Sequence, residues 1–134
     1  MNFSIIATGP FERKLKRLSK KYKSLKADVL AIVEQLSENP KLGTPIGKEC
    51  YKIRFAISSK GKGKSSGARI ITYVRVIKET VFLMDIYDKS EQVNISDKEL
   101  QLLIDILSQQ YIPGTRSFYL NDFTLIIHDY DLYL

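Results

Sequence analysis

The chain has one cysteine, one histidine and no tryptophan in 134 residues. A lone Cys50 leaves no intrachain disulfide to form, and one cysteine with one histidine argues against a zinc cluster or a Ser-His-Asp arrangement. No cofactor is expected. No apolar run approaches the ~18–20 residues that cross a bilayer, so no membrane role is expected. The first residues lack the basic, apolar, then small layout of a signal peptide, and a reducing cytoplasm is the expected compartment. Acid is scarce in one place only. Between Lys41 and Lys78 there are ten Lys and Arg against the single acid Glu49, a net +9, whereas residues 1–40 carry +4 and 79–134 carry −7.

One phosphate-binding signal can be set aside. Gly63-Lys64-Ser65 imitates the end of a P-loop, but Ser58 stands five residues before Gly63, where that motif needs glycine. A β-branched stretch rather than a helix follows.

What is present is enough for one domain. A chain of 134 residues, 44% hydrophobic and 27% charged, can bury a core without staples. Residues 2–7 (NFSIIA) predict a short strand. Thr8 and Pro10 open a helix with Phe11, Leu15, Leu18, Tyr22 and Leu25 on one stripe and seven Lys and Arg on the other face. Ser24 starts a second helix carrying Val29, Ile32, Val33 and Leu36, which ends at Asn39-Pro40. The two form a helical hairpin. The turn-rich stretch 42–47 (LGTPIG) predicts a connector.

The basic centre predicts two strands and a loop. In CYKIRFAIS, Tyr51, Ile53, Phe55 and Ile57 alternate with Cys50, Lys52, Arg54, Ala56 and Ser58, so Lys52 and Arg54 should look out from the face opposite the core. The loop of residues 59–67 should hold Lys60, Lys62 and Lys64 clear on a flexible tether. The next strand should place Arg69, Tyr73 and Arg75 on one face and Ile70, Val74 and Val76 on the other. Lysines on outer faces and edges are ordinary. A net +9 in 38 residues with one acid is less so, and points to a polyanion such as RNA.

TVFLMDIY, after Lys78-Glu79, predicts an interior strand, apolar on both sides. Ser96-Asp97-Lys98-Glu99 is a capping box for a last helix, stopped by Pro113-Gly114. The order is therefore β-α-α-β-β-β-α, an α+β fold with consecutive strands paired as a meander. Residues 1–114 are expected to form the domain. The extension 115–134 holds five of the fourteen aromatics and should pack on the same domain.

Three stretches resemble the RelE/ParE superfamily of toxin–antitoxin toxins, and its HigB-like branch in particular. They are CYKIR, GKGKSSGARIITYV, and FLMDIYDKSE followed by ISDKEL. The resemblance covers residues 1 to about 108, and its most specific part is the Lys/Gly loop running through Ser-Gly-x-Arg into a strand. It implies a RelE-like fold with a small mixed, mainly antiparallel sheet. It also implies an endoribonuclease that cuts mRNA on the ribosome and is silenced by a cognate antitoxin, expected to be a helix-turn-helix protein. By motif, the catalytic residues would be Lys52, Arg54, Arg69 and Lys89, and RNA would be gripped by Lys60, Lys62, Lys64, Tyr73 and Arg75. The RelE type has a tyrosine six residues past the Lys89 position, where this chain has Ile95. Two alternatives remain open at this point: a ParE-like gyrase inhibitor, and a non-catalytic RNA- or ribosome-binding module.

Overall fold

A computed structural model describes residues 3–110, 115–120 and 123–128 of the chain. In order, the elements are β1 (Ser4–Ala7), α1 (Gly9–Lys21), α2 (Leu25–Glu38), β2 (Thr44–Gly47), β3 (Cys50–Phe55), β4 (Ala68–Arg75), β5 (Thr80–Asp88), α3 (Asp97–Gln110), β6 (Thr115–Leu120) and β7 (Phe123–His128). The seven strands form one sheet in the order β2-β3-β4-β5-β1-β7-β6. β2 to β5 are antiparallel neighbours, while β1 runs parallel to both β5 and β7. This is the expected α+β fold, with its mixed sheet, extended by two additions. Residues 44–47 form a short edge strand rather than only a connector, and the tail adds the β6–β7 hairpin. That hairpin extends the edge remote from β3, so it does not shade the basic strands. The proline and glycine expected to stop α3 lie outside the described residues.

The sheet is covered on both faces. Phe11 and Leu18 of α1 and Leu25, Val29, Val33 and Leu36 of α2 pack with Ile5, Ile53, Phe55, Ile70, Val74, Val81, Leu83 and Ile86. A second cluster joins Cys50, Ile71, Phe82, Met84 and Tyr87 to Leu100 and Leu107 of α3. Burying each large apolar side chain is worth about 1.5–3 kcal/mol, so both layers are needed to hold the sheet. The face from which Lys52 and Arg54 were expected to look out is therefore partly roofed by α3. The physical reason is that α3 carries its own apolar stripe, and β4 and β5 offer apolar residues to both faces.

Local chemistry fixes the joints. Thr8 does not cap α1 with its side chain; its Oγ1 donates instead to the Leu83 carbonyl at 2.8 Å, tying the helix start to β5. Ser96 caps α3 as the capping box predicts, the Glu99 N–H donating to Ser96 Oγ at 3.1 Å and Ser96 Oγ donating to Glu99 Oε1 at 3.3 Å. Between β4 and β5 the ladder slips: Thr72 faces Leu83 but Ile71 faces Asp85, so Met84 and Asp85 together oppose one residue. Past this bulge the side-chain phase of β5 reverses. Phe82, Met84 and Tyr87 face α3, while Val81, Leu83 and Ile86 face the hairpin. Among the described residues no helix is long and apolar enough to cross a membrane.

Candidate active site

The site is built on a cross-strand row. Arg54 of β3 stands opposite Arg69 of β4, and Arg69 stands opposite Tyr87 of β5. One step along, Lys52 pairs with Ile71. Residues opposite one another in a ladder share a face, so Lys52, Arg54, Arg69 and Tyr87 all lie on the α3 side. Lys89 joins them from the end of β5, its N–H donating to the Gly67 carbonyl at 3.0 Å. Gly67 is where the basic loop closes onto β3. A Cβ there would stand 2.0 Å from the Phe55 carbonyl oxygen, so only glycine permits the approach.

The four cations are close enough to affect one another. Partial burial lowers the pKa of the Lys52 ammonium, and Arg54, Arg69 and Lys89 push it lower still. Arg69 is only 2% exposed. Its Nη1 donates to the carbonyls of Lys64 (2.9 Å) and Ala68 (3.0 Å), while its buried Nη2 has no partner. Burial and Arg54 lower its pKa, but a guanidinium stays charged at any working pH. The catalytic role that the resemblance implies for Arg69 needs it open to substrate, and in the structure its own loop folds over it. Arg54 is exposed and Lys52 half-buried. Beside them lies a cleft of about 500 Å³ between α2 and the part of β3 that β2 leaves unpaired, lined by Asp28, Gln35, Gly43, Lys52, Arg54 and Lys64 among others.

The remaining residues divide. Lys62 and Lys64 are exposed on the loop. Lys60 is not: its Nζ donates to Asp88 Oδ1 at 2.8 Å and to the Ser66 carbonyl at 3.0 Å, and lies over the Tyr22 ring at 5.0 Å. Lys60 is thus a fastener of the loop rather than a free RNA contact, because Asp88 faces it from β5. The loop is no loose tether. Two single 3₁₀ turns shape it, and Ser58 and Ser59 bond Asp28 and Ser24 of the α2 start. Tyr73 and Arg75 share the face of Arg69 but lie four and six residues down β4, roughly 13 and 20 Å away at the strand rise. Tyr73 is half-buried near Phe82 and under Arg75. Ile95 packs against the α3-side cluster and offers no hydroxyl.

Two features of the site were not visible in sequence. Tyr87 enters the row with its hydroxyl buried and unpartnered. Burial raises its pKa, against the pull of Arg69, so it stays a protonated donor. Nearby, Lys14 of α1 reaches Asp85 at 2.7 Å and lies 5.9 Å from the Tyr87 ring. Burial raises the pKa of Asp85 while Lys14 opposes it. TVFLMDIY reads as uniformly interior, and only the bulge decides which of its polar groups meets which face. Among the described residues no group of three or more His, Cys, Asp or Glu could hold a metal. The donor set here is cationic, suited to holding phosphate and neutralising developing negative charge.

Comparison with known proteins bears on the fold that carries this site. Two solved structures of a bacterial toxin share the fold. A double arginine-to-alanine mutant of E. coli RelE in the free state matches with a TM-score of 0.52 and 18% identity, over 80% of this chain and 99% of that one. The isolated E. coli RelE toxin matches at 0.51 and 17%, over 78% and 99%. The family profile described as the RelE toxin of the RelE/RelB toxin–antitoxin system matches residues 11–116. The chain belongs to the RelE toxin family.

Proposed function

We propose that this protein is a HigB-like endoribonuclease toxin that cuts mRNA on the translating ribosome and is silenced by a helix-turn-helix antitoxin. The observation that carries the reading is the row of Lys52, Arg54 and Arg69 with Lys89 beside it, at the foot of a loop bearing exposed Lys62 and Lys64. In this mechanism the ribose 2′-OH attacks the adjacent phosphorus in line, so the enzyme has to orient RNA and stabilise the phosphorane. Arg69 and Arg54 supply the charge. Lys52, its pKa lowered by burial and by three neighbouring cations, takes part in proton transfer. Lys62 and Lys64 hold the backbone without choosing sequence. Residues 1–114 carry the activity, and 115–134 are an extension of the same domain, whose strands Thr115–Leu120 and Phe123–His128 lengthen the sheet.

The test is mRNA cleavage in a translation reaction. Lys52→Ala, at a half-exposed position, should keep the melting temperature and lose about 10²–10³-fold in cleavage, the scale set by losing one charge-stabilising donor. Arg69→Ala should lose cleavage to the same degree but also melt lower, because the buried side chain holds the Lys64 and Ala68 carbonyls. Arg69→Lys should rescue cleavage poorly because an ammonium lacks the fork. Equal cutting by Lys52→Ala and wild type would remove the proposed site. Failure of wild type to cut, with gyrase inhibited instead, would replace the reading.

A further inference from the structure

Arg69 Nη2 and the Tyr87 hydroxyl are both buried polar atoms without a hydrogen-bond partner. They belong to residues directly opposite each other on neighbouring strands and facing the same side. Buried donors without partners are rare because each forfeits its bonds to water. Two in one cross-strand pair, within the cationic row of Lys52, Arg54 and Lys89, call for an acceptor that the chain itself does not supply. Guanidinium nitrogens only donate, and a protonated phenol can donate. What completes both is an oxygen that accepts twice. The charges of Lys52, Arg54 and Lys89 around the pair favour an anionic oxygen over a neutral one.

We propose that Tyr87 is a further substrate-contacting group of the site, its hydroxyl and Arg69 Nη2 forming a two-donor cradle for one non-bridging phosphate oxygen of RNA. The identity of the anion rests on the nuclease reading. The cradle is closed in the resting chain. Its cover is the backbone at Lys64 and Ser65, held to Arg69 through the Lys64 carbonyl, while Ser66 and Gly67 stay tied to Lys60 and Lys89. Gly61 and Gly63 upstream have no neighbour within 4 Å of where a Cβ would stand, so the tip of the loop is not packed against the domain. Lifting that segment breaks the bond from Nη1 to Lys64 and releases a second nitrogen of the same fork toward the phosphate. Tyr87 gives up no proton in this scheme. It orients and holds.

The experiment uses the full chain, as wild type and Tyr87→Phe, with Tyr51→Phe as a control on the hairpin side. The probe is a 2′-O-methyl RNA trinucleotide, which has phosphates but no 2′-OH to attack, read by thermal shift at constant ionic strength. mRNA cleavage is read in parallel. Because the phenol has no partner at rest, Tyr87→Phe without ligand should melt at or above the wild-type temperature. With the trinucleotide it should bind about ten-fold or more weakly, the size of one hydrogen bond to a charged group, while Tyr51→Phe binds as wild type does. Equal affinity of wild type and Tyr87→Phe would overturn the cradle, whatever happens to cleavage. A Tyr87→Phe protein that melts lower without ligand and binds normally would assign the gap to a structural water and overturn it too. Binding lost in Tyr87→Phe, with wild type cutting no mRNA, would uphold the cradle as an anion site and defeat the nuclease reading instead.

Discussion

Removing the carboxylate of Asp88 should loosen the basic loop from the rest of the domain. Asp88 is fully buried in its side chain and Lys60 is 13% exposed. The carboxylate accepts from Lys60 Nζ, from the Tyr22 hydroxyl and from the Ser90 N–H. Burial alone would raise its pKa, but the bonds from Lys60, Tyr22 and Ser90 outweigh that and hold it well below the usual carboxylate range. Asp88→Ala strands an ammonium and a phenol. Breaking a buried pair from one side costs about 3–5 kcal/mol, and the lower end applies because Lys60 has a flexible stem and can swing into water. For a chain of this size, about 3 kcal/mol lowers the melting temperature by roughly 12 °C. Asp88→Asn keeps the shape and some acceptors but not the charge, so it should fall by about half as much. The pH dependence follows from the sign of the shift. A depressed native pKa gives stability that is fully present above the ordinary aspartate value near ~3.9 and fades as pH falls below it. The gap in melting temperature between wild type and Asp88→Asn should therefore be constant from pH 7 to about pH 5 and close in stronger acid. Calorimetry between pH 2 and 7 reads this directly. A drop under about 4 °C for Asp88→Ala, where one buried bond to a charge already predicts more, would refute the reasoning, as would a gap that persists unchanged at pH 2.

Gly67→Ala should fail to fold, or melt more than about 10 °C lower, because the new methyl meets β3 backbone rather than a yielding side chain and exceeds ordinary overpacking of ~1–3 kcal/mol; an unchanged melting curve would contradict the close approach. Burial pushes the Cys50 thiol up to about 11, so a disulfide reagent at pH 8 should leave the native protein unlabelled and react at once in denaturant. The same shift makes Cys50 stabilising below its unfolded pKa of ~8.5, with that contribution lost as pH rises toward the native value. Rapid labelling of the native protein would disprove the burial.

The element order and the common face of Lys52, Arg54 and Arg69 were legible because β3 and the start of β4 alternate cleanly and their register follows from a hairpin. The roof was harder to read. Leu100, Leu103 and Leu107 announce an amphipathic α3, but nothing in one sequence says which sheet face it covers. That Lys60 does not stand clear on the loop was hidden for a related reason: its partner Asp88 lies 28 residues away, on a strand whose phase depends on a bulge. β2 was hidden by Pro45, which an edge strand tolerates and a central one would not. Tyr87 was hidden at the end of the apolar run that precedes it.

The bulge opposite Ile71 has a consequence for insertions and deletions. In an unbroken ladder continuing from Thr72 and Leu83, Ile86 would stand across from Arg69, Tyr87 would turn toward the hairpin, and Asp88 would point toward the arginines. A carboxylate there would neutralise the cations that the row gathers, and Lys60 would lose its anchor. One surplus residue between Leu83 and Ile86 thus works as a phase shifter, separating an acid that must tie down the loop from bases that must meet an anion. Losing one residue at Asp85 would straighten the strand yet leave Tyr87 and Asp88 on their present sides. Gaining one would exchange them, so β5 is a strand in which length tolerance runs in only one direction.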